Sequence, residues 1–271
     1  MTTLSWMDDL KTGLERHGQL VLATVANTIG SAPRHAGARM LVFPDGTSRG
    51  TVGGGIMESG VIEDAKEFLR AGGGDSGQST LFKKYILQPE GEAAIGSFCG
   101  GAAEVLLELF ESAPKLVIFG AGHCGKALAQ AATLLDFRIV LVDQRAELLA
   151  EVPGWGLARP AETFRLESPQ GALPATDARS FLVIMTSSHD IDEQILRRVI
   201  RSEFAYVGMI ASRNKSRLIR EKMLAEGYSE AELARVHMPI GIAIASETPA
   251  EIAVSILAEL VAERRRGGNK V

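Results

Sequence analysis

A glycine-rich turn in the second half of the sequence carries residue types that suit the binding of phosphate groups. The run VIFGAGHCG contains Gly120, Gly122 and Gly125, and the acidic residue Asp143 follows 21 positions after Gly122. Glycines let the backbone approach a phosphate closely, and the start of the next helix offers N–H groups to it. An acid at this distance is typical of a ribose-binding residue, so the spacing predicts a Rossmann-type fold. Its turn could bind a dinucleotide, bind another phosphate-bearing ligand, or belong to a retained fold without a ligand.

Four further polar residues of the second half lie where predicted strands end or helices begin. His189 in TSSHD and His237 in VHMPIG follow strands, and either imidazole could transfer a proton near neutral pH. Ser212 and Arg213 begin a predicted helix in ASRNKSR, a position that suits an anion. Each residue also has a structural interpretation, because strand-end histidines and basic helix faces are common without any ligand.

Two glycine-rich runs in the first half are unusual for purely structural loops. GSAPR begins with Gly30 and Ser31 and ends with Arg34, a natural phosphate clamp behind a stiff proline. GTVGGGIME places three consecutive glycines before a helix, and their N–H groups can form a nest for an anion. The candidate contacts in this second run are Gly53, Gly54, Gly55 and Glu58. Capping of the helix explains Glu58 at least as well as catalysis does.

The run IGSFCGG places one thiol among residues with almost no side chain. Cys99 lies between a Gly-Ser pair and the glycines Gly100 and Gly101, just before an apolar strand. A thiol in this frame could be a nucleophile, a metal ligand or a small buried residue. The sequence has no C-x-x-C or H-x-x-x-H spacing, so a structural zinc site is not expected.

The hydrophobic pattern divides the scaffold of these residues into two parts. Up to about residue 110 the hydrophobic pattern predicts an amphipathic helix from about Ser5 to His17, a second helix over Met57–Gly74 and several short strands. These elements together make an α+β arrangement. The polar stretch Glu111–Lys115 is the best linker candidate. Beyond it strands alternate with helices, which predicts an α/β fold with a parallel, doubly wound sheet. We therefore expect a smaller α+β domain over residues 1–112 and a Rossmann-like domain over residues 113–271.

Charge and hydrophobicity exclude several classes of protein. Hydrophobic residues make up 46% of the 271-residue chain, charged residues make up 23%, and the net charge is −4. This is the balance of a globular protein, and it lacks the basic footprint of a nucleic-acid binder. No apolar run is long enough to span a membrane, and the N-terminus does not resemble an export signal. We therefore expect a cytoplasmic protein with free thiols at Cys99 and Cys124.

Taken together, these motifs resemble those of the XdhC/CoxI family, the accessory factors of xanthine dehydrogenase and related molybdenum hydroxylases. In the first half the resemblance rests on GSAPRHAGARMLV, GTVGGGIME and FCGG. In the second half it rests on VIFGAGHCGKALA, VDQR, MTSSHDID, GMIASRNK and HMPIGIAIASETPAEIAVSILAEL, so it extends over almost the whole chain. Three alanines depart from the family's pattern, which has serine or threonine at Ala32 and glycine at Ala211 and Ala245.

The resemblance implies a maturation factor rather than a turnover enzyme. Such a protein would bind molybdenum cofactor (a pyranopterin), help it acquire its terminal sulfur ligand and deliver it to an apo molybdenum hydroxylase of the xanthine dehydrogenase type. It would also contact a cysteine desulfurase and form a homo-oligomer, a dimer. In this interpretation Cys99 is the thiol that faces the cofactor and its metal. The Rossmann turn would bind part of the cofactor, NAD(P) or another nucleotide.

Two other functions are compatible with the same residues. An NAD(P)-dependent oxidoreductase would use the Rossmann-like half, with His189 or His237 as its acid–base group. Neither Tyr206 nor Tyr228 has the lysine four residues later that short-chain enzymes need. An inert interaction scaffold would use its glycine loops only to contact the hydroxylase.

Overall fold

Two units, each with its own sheet, make up the chain in the computed structural model, which describes residues 3–30, 33–72, 78–87 and 101–266. The boundary between the two compact units lies between Ser112 and Ala113, inside the polar stretch Glu111–Lys115. Each unit has its own hydrophobic core. Within the described ranges, no helix is both long enough and apolar enough to cross a membrane.

The first unit is an α+β arrangement of two helices and one antiparallel sheet. Its elements are α1 (Thr3–His17), β1 (Gln19–Ile29), β2 (Arg39–Val42), β3 (Ser48–Gly50), α2 (Gly55–Ala71), β4 (Thr80–Leu87) and β5 (Gly101–Glu111). The strands pair in the order β3-β2-β1-β5-β4. Successive side chains of β1 point to opposite faces of the sheet and so contribute to two hydrophobic cores. Val21 and Ala23 pack in the core with α2, and Leu20 and Leu22 pack in the core with α1.

The second helix shows how local sequence sets an element. Met57, Val61, Ala65 and Leu69 recur at helical spacing, and all four are buried against the sheet, as the pattern predicts. The helix ends at Gly72, whose φ of 66° is left-handed and whose N–H donates to the Leu69 carbonyl at 3.2 Å. Glycine adopts this conformation without the penalty of a Cβ, so the helix stops there.

The strand register places several loops of the first unit at one end of its sheet. Ile29 at the end of β1 lies opposite Ala102 near the start of β5, and Leu87 at the end of β4 lies opposite Gly101. The pairings of β2 with β1 and with β3 are also antiparallel. The ends of β1, β3 and β4 therefore lie beside the starts of β2 and β5. We call this the glycine end of the sheet, because the glycine-rich runs GSAPR, GTVGGG and FCGG adjoin it.

The second unit alternates strands and helices around a parallel sheet. Its elements are β6 (Lys115–Phe119), α3 (His123–Ala132), β7 (Arg138–Asp143), α4 (Ala146–Glu151), a 3₁₀ turn (Val152–Trp155), β8 (Glu162–Arg165), β9 (Phe181–Ile184), α5 (His189–Val199), β10 (Tyr206–Met209), α6 (Arg213–Ala225), α7 (Glu230–Ala234), β11 (Val236–His237) and α8 (Pro249–Arg266). The strand order is β11-β10-β9-β6-β7-β8, the Rossmann order with a reversal between β6 and β9. The predicted fold class is confirmed.

Helices cover both faces of this parallel sheet, so its strands are buried. One core, which contains Leu128 and Leu260, joins α3 and α8 to one face of the sheet. A second core, which contains Leu196 and Ile219, joins α5 and α6 to the other face. Strands that are covered on both faces are expected as continuous apolar runs, as in KLVIF and FLVI. The strand β8 (ETFR) was not predicted, because its residues are mostly exposed and carry no such run.

Candidate functional site

Two glycine-rich runs of the first unit are in contact at the glycine end of the sheet. Gly30 follows β1 with a φ of 70°. Pro33, in the same run, packs on the next one, because a Cβ built at Gly53 would lie 2.8 Å from the Cγ atom of Pro33. Arg34 follows Pro33 and is exposed. The structure therefore brings together residues that were chosen from the sequence independently of one another.

The three consecutive glycines before α2 have backbone conformations that favour glycine. The φ angles of Gly53, Gly54 and Gly55 are 151°, 76° and 61°. In the described part of the chain, a Cβ at Gly54 or Gly55 would have no atom within 4 Å. Their backbone is thus open to a bulky partner, and a side chain at either position would occupy that space.

Glu58 lies against the N–H groups of this glycine run. Its Oε2 atom accepts hydrogen bonds from the Gly54 N–H at 3.1 Å and the Val52 N–H at 3.3 Å, and also from the Thr51 hydroxyl. Burial opposes ionisation, but these hydrogen bonds outweigh it and hold the pKa of Glu58 below its ordinary value. The geometry supports the capping interpretation, in which Glu58 satisfies the start of α2 and takes up part of the anion nest.

Three of the predicted contacts of the first unit, Ser31, Cys99 and Gly100, lie outside the described residues. Gly101 is described: it begins β5 and pairs with Leu87 at the glycine end. Gly101, the last residue of FCGG, therefore lies at the end of the sheet that the other two glycine runs adjoin. The role of Cys99 stays a prediction.

The glycine turn of the second unit gives each of its glycines a different steric task. Gly120 has a φ of 120°, and a Cβ there would lie 2.3 Å from the Met185 carbonyl oxygen. A Cβ at Gly125 would lie 1.8 Å from the Gly120 carbonyl oxygen, so this glycine lets α3 pack closely against the turn. A Cβ at Gly122 would have no described atom within 4 Å. A tight turn, an open approach for a phosphate and close helix packing are the three tasks of the dinucleotide-binding fingerprint.

Asp143, the predicted ribose-binding acid, has partners within the protein for both of its oxygens. Oδ2 accepts the Ala121 N–H at 2.7 Å and Arg145 Nη2 at 2.8 Å, and Oδ1 accepts the Arg145 backbone N–H and its Nε, each at 2.9 Å. Burial opposes ionisation, but the hydrogen bonds from Arg145 and Ala121 hold the pKa of Asp143 below its ordinary value. Asp143 is 7% exposed. The carboxylate thus joins the glycine turn to Arg145.

The starts of α5 and α6 lie at the same end of the parallel sheet, since each helix follows the end of a neighbouring strand. His189 begins α5, is 62% exposed and has its Nδ1 atom 3.7 Å from Asp192 Oδ2. Asp192 Oδ1 accepts the N–H and hydroxyl of Thr186, while its buried Oδ2 has no hydrogen-bond partner in the described part of the chain. Burial raises the pKa of Asp192 despite the Thr186 bonds. Ser212 and Arg213 are exposed at the start of α6.

Ser212 has a structural task at the helix terminus. Its hydroxyl accepts the Lys215 N–H at 3.3 Å, and its φ and ψ of −72° and 158° are typical of an N-cap residue. The anion site at this position stays a prediction.

His237 belongs to a polar cluster that was not foreseen from the sequence. Glu259 on α8 receives the Tyr206 hydroxyl at 2.8 Å and the Gly241 N–H at 2.5 Å on Oε2, while its Oε1 lies 2.8 Å from His237 Nδ1. Burial opposes ionisation of Glu259, but its bonds from His237, Gly241 and Tyr206 hold its pKa below the ordinary value. A proton on Nδ1 would leave Nε2 of His237 as a base or a ligand.

A cleft of ≈ 60 Å³ lies at the strand ends of the second unit, where the strand order reverses. The residues that line the cleft include both polar and apolar side chains. The polar part comprises Asp143, Gln144, Arg145, Thr186 and Ser187, and the apolar part comprises Phe119, Val142, Leu166, Ile191 and Ile195. Open α/β sheets bind ligands in the crevice at this reversal, so the cleft is a candidate ligand site of the second unit.

Metal binding is restricted by the positions of the acidic, histidine and cysteine residues. In the part of the chain that the structure describes, no group of three or more such side chains could hold a metal ion. Cys124 in the glycine turn is a free thiol, and burial raises its pKa, which disfavours the reactive thiolate.

Three residues of these arrangements were not predicted from the sequence: Arg145, Asp192 and Glu259. Arg145 follows the predicted ribose acid by two positions, and a basic residue there is a signal that could have been used. Glu259 interrupts the apolar pattern of α8 beside Leu260, so its burial could also have been suspected from helical spacing. Asp192 gave no signal that separates it from an ordinary acid in the first turn of a helix.

Comparison with known proteins identifies both units. A family model described as "XdhC Rossmann domain" matches residues 116–260, and one described as "XdhC and CoxI family" matches residues 14–80. "Uncharacterized protein YqeB" of Escherichia coli (strain K12) is 36% identical over 248 residues, which are 91% of this chain and 44% of that protein. A probable xanthine dehydrogenase subunit of Bacillus subtilis (strain 168) is 26% identical over 164 residues, 60% of this chain and 46% of that protein.

The chain thus spans less than half the length of the curated relatives it matches. Among solved structures, a Bacillus halodurans protein described as a xanthine dehydrogenase covers 96% of each chain, with a TM-score of 0.51 and 21% identity. At this identity the likeness concerns the fold.

Proposed function

Because this chain belongs to the XdhC and CoxI family, we propose that it is an accessory factor in the maturation of a xanthine dehydrogenase-type molybdenum hydroxylase. In this role it binds molybdenum cofactor, supports the acquisition of the cofactor's terminal sulfur and delivers the cofactor to the apo-hydroxylase. A cysteine desulfurase supplies the sulfur, and the protein acts as a dimer. The name of the Bacillus subtilis relative, which is that of a probable xanthine dehydrogenase component, supports the choice of hydroxylase.

The observation that carries the proposal is the contact between two of the glycine-rich runs, GSAPR and GTVGGG, at the glycine end of the first sheet. A pyranopterin phosphate is a bulky anion, so it needs open backbone with N–H groups and a cation. Among the described residues, no atom lies within 4 Å of a Cβ built at Gly54 or Gly55, and Arg34 is exposed on the adjoining run. Glu58 accepts the N–H groups of Val52 and Gly54, and the Thr51 hydroxyl accepts the Gly53 N–H at 3.1 Å. The anion would therefore rely on Arg34 and on the N–H groups that follow Gly54.

The residues at this end fit the cofactor in chemical type. When bound, the cofactor supplies a molybdenum centre surrounded by sulfur, and a thiolate is the protein ligand that such a thiophilic centre prefers. Cys99 is placed by sequence two residues before Gly101 at the glycine end. In the proposal Arg34 holds the phosphate, the glycines accommodate the pterin, and Cys99 faces the metal.

Cofactor retention tests the proposal directly. Purified chain is mixed with molybdenum cofactor and passed over gel filtration, and molybdenum and pterin fluorescence are measured in the protein fraction. We expect about one cofactor per chain for the wild type, less molybdenum for Cys99→Ala, and no loss for Cys124→Ala, the matched control in the second unit. Retention near zero in the wild type would refute cofactor binding. A Cys99→Ala protein that still activates the hydroxylase fully would favour the scaffold function instead.

One observation favours a second candidate, an NAD(P)-dependent oxidoreductase. The Rossmann turn has the steric division expected of a dinucleotide site, and Glu259 orients His237 as a possible acid–base group. This function predicts saturable NAD(P)H binding together with turnover that His237→Ala abolishes. Binding without turnover of any oxidisable substrate would leave only the accessory role.

A further inference from the structure

The expected ribose contact is blocked by the partners of Asp143. A carboxylate has about four acceptor positions, and Asp143 uses four hydrogen bonds from Ala121 and Arg145. A ribose diol would have to displace a charged donor from a side chain that is only 7% exposed. Such an exchange gains little, because a neutral hydroxyl is a weaker donor than a guanidinium.

Asp143 holds the guanidinium of Arg145 in place, and Arg145 lines the cleft. Two bonds to Asp143, from Nε and Nη2, fix the plane of the guanidinium. Its Nη1 atom donates no hydrogen bond to any residue that the structure describes, and the side chain is 38% exposed beside the cleft. A guanidinium held on one edge keeps a free pair of N–H donors on the other, the geometry that recognises a phosphate.

The surroundings of Arg145 add donors and an apolar surface. Ser187 is exposed and also lines the cleft, and Gln144 is half-buried next to Arg145 in the sequence. Phe119, Leu166 and Ile191 contribute apolar side chains to its lining. The Asp143 charge is already neutralised by Arg145, so it does not repel a second anion as a free carboxylate would.

We infer that the cleft at the strand reversal selects ligands that carry a phosphate monoester and discriminates against the same ligands without it, and that Arg145 is the selecting residue. Two sources share this chemistry. One is the 2′-phosphate of an adenine dinucleotide, and the other is the terminal phosphate of a pyranopterin. The second source rests on the proposed accessory role, but it would place the cofactor's phosphate at Arg145 instead of Arg34. The first source is independent of that role.

Two matched ligand pairs test the inference on the full-length protein. The first pair is NADP⁺ and NAD⁺, measured by calorimetry. The second pair is the oxidised, fluorescent pterin derivative of the cofactor with and without its terminal phosphate, measured by fluorescence anisotropy. We expect the phosphorylated member of at least one pair to bind about tenfold tighter or more, as charge-assisted bonds to a monoester imply. The pair that shows the preference identifies the source.

Variants locate the preference in the molecule. Arg145→Gln should reduce the ratio of affinities to below about threefold, while Arg145→Lys, which keeps the charge without the fork, should give an intermediate ratio. Arg159→Gln is the control, since Arg159 is an exposed arginine of the same unit paired with Asp136 at 2.9 Å. A wild-type ratio below about threefold for both pairs overturns the inference, whatever the stability of the variants. A preference that survives in Arg145→Gln also overturns it.

The outcome separates this inference from the proposed function. Metal and pterin retention by the wild type, with no monoester preference and no effect of Arg145→Gln, would refute the inference and leave the accessory role intact. A clear NADP⁺ preference without any cofactor retention would do the reverse.

Discussion

Gly125 offers a sharp test of how closely α3 packs on the glycine turn. A Cβ at this position would lie 1.8 Å from the Gly120 carbonyl oxygen, and Cβ contacts under 3.0 Å are essentially never found. The Gly125→Ala substitution therefore requires a shift of about 1.2 Å between the helix and the turn. The turn cannot yield easily, because Gly120 itself lies against the Met185 carbonyl.

The size of the effect follows from two opposing contributions. Overpacking of a well-packed site costs about 1–3 kcal/mol, and a clash with backbone belongs at the upper end. Alanine in place of glycine in a helix returns about 1 kcal/mol at most. We expect a net loss of about 2 kcal/mol in the free energy of unfolding of the second unit. For a unit of this size that lowers its melting temperature by roughly 4–8 °C.

Differential scanning calorimetry measures this loss, and Gly122→Ala is the matched control in the same turn. Gly122 has a φ of −76°, and a Cβ there would meet no described atom within 4 Å. The melting temperature of the Gly122→Ala variant should therefore fall by no more than about 2 °C. The same control should lose affinity for any phosphate that approaches the turn. The assignment of different steric roles to the three glycines is wrong if Gly125→Ala has the melting temperature of the wild type. It is also wrong if Gly125→Ala and Gly122→Ala lose equal stability.

Three further predictions concern other parts of the chain. Ala245 has a φ of 54°, a conformation that costs about 1–2 kcal/mol for a residue with a Cβ, while the greater entropy of glycine in the unfolded chain offsets up to about 1 kcal/mol. With a net gain of about 1 kcal/mol, Ala245→Gly should raise the melting temperature of the second unit by roughly 2–4 °C. Glu58→Ala removes the acceptor of two N–H groups before α2 and should cost the first unit about 1 kcal/mol in denaturant unfolding, whereas the exposed Glu63→Ala should cost less than half as much. Glu259 has a lowered pKa, so its contribution to stability is present above its unfolded pKa of about 4.3 and is lost as the pH falls through its lower folded pKa. The difference in melting temperature between wild type and Glu259→Gln should therefore shrink below about pH 4, and a constant difference down to pH 2 would contradict the assignment.

Much of the scaffold could be read from local pattern. The apolar face of α2 and the continuous apolar runs of β6 and β9 are properties of neighbouring residues, so the sequence predicts them directly. The same holds for the start of α8, where Thr248 and Glu251, three residues apart, accept each other's backbone N–H groups as a capping box. The glycine triplet of the Rossmann turn also carries its own signal, since its spacing is set by one strand, one turn and one helix. Short polar elements such as β8 carry no comparable signal, because an exposed edge strand needs no apolar run.

The partners of individual side chains depended on the tertiary structure. The acid at position 143 follows from spacing, yet its engagement with Arg145 and with the Ala121 N–H depends on how β7 lies beside the glycine turn. Glu259 meets Tyr206, His237 and Gly241 only because α8 packs across strands that are far away in sequence. Local sequence pattern predicts an α+β part followed by a Rossmann-like part, and it names the residue types available for chemistry. Tertiary packing decided which donors each carboxylate receives, because hydrogen bonds join groups that are close in space, whatever their separation along the chain.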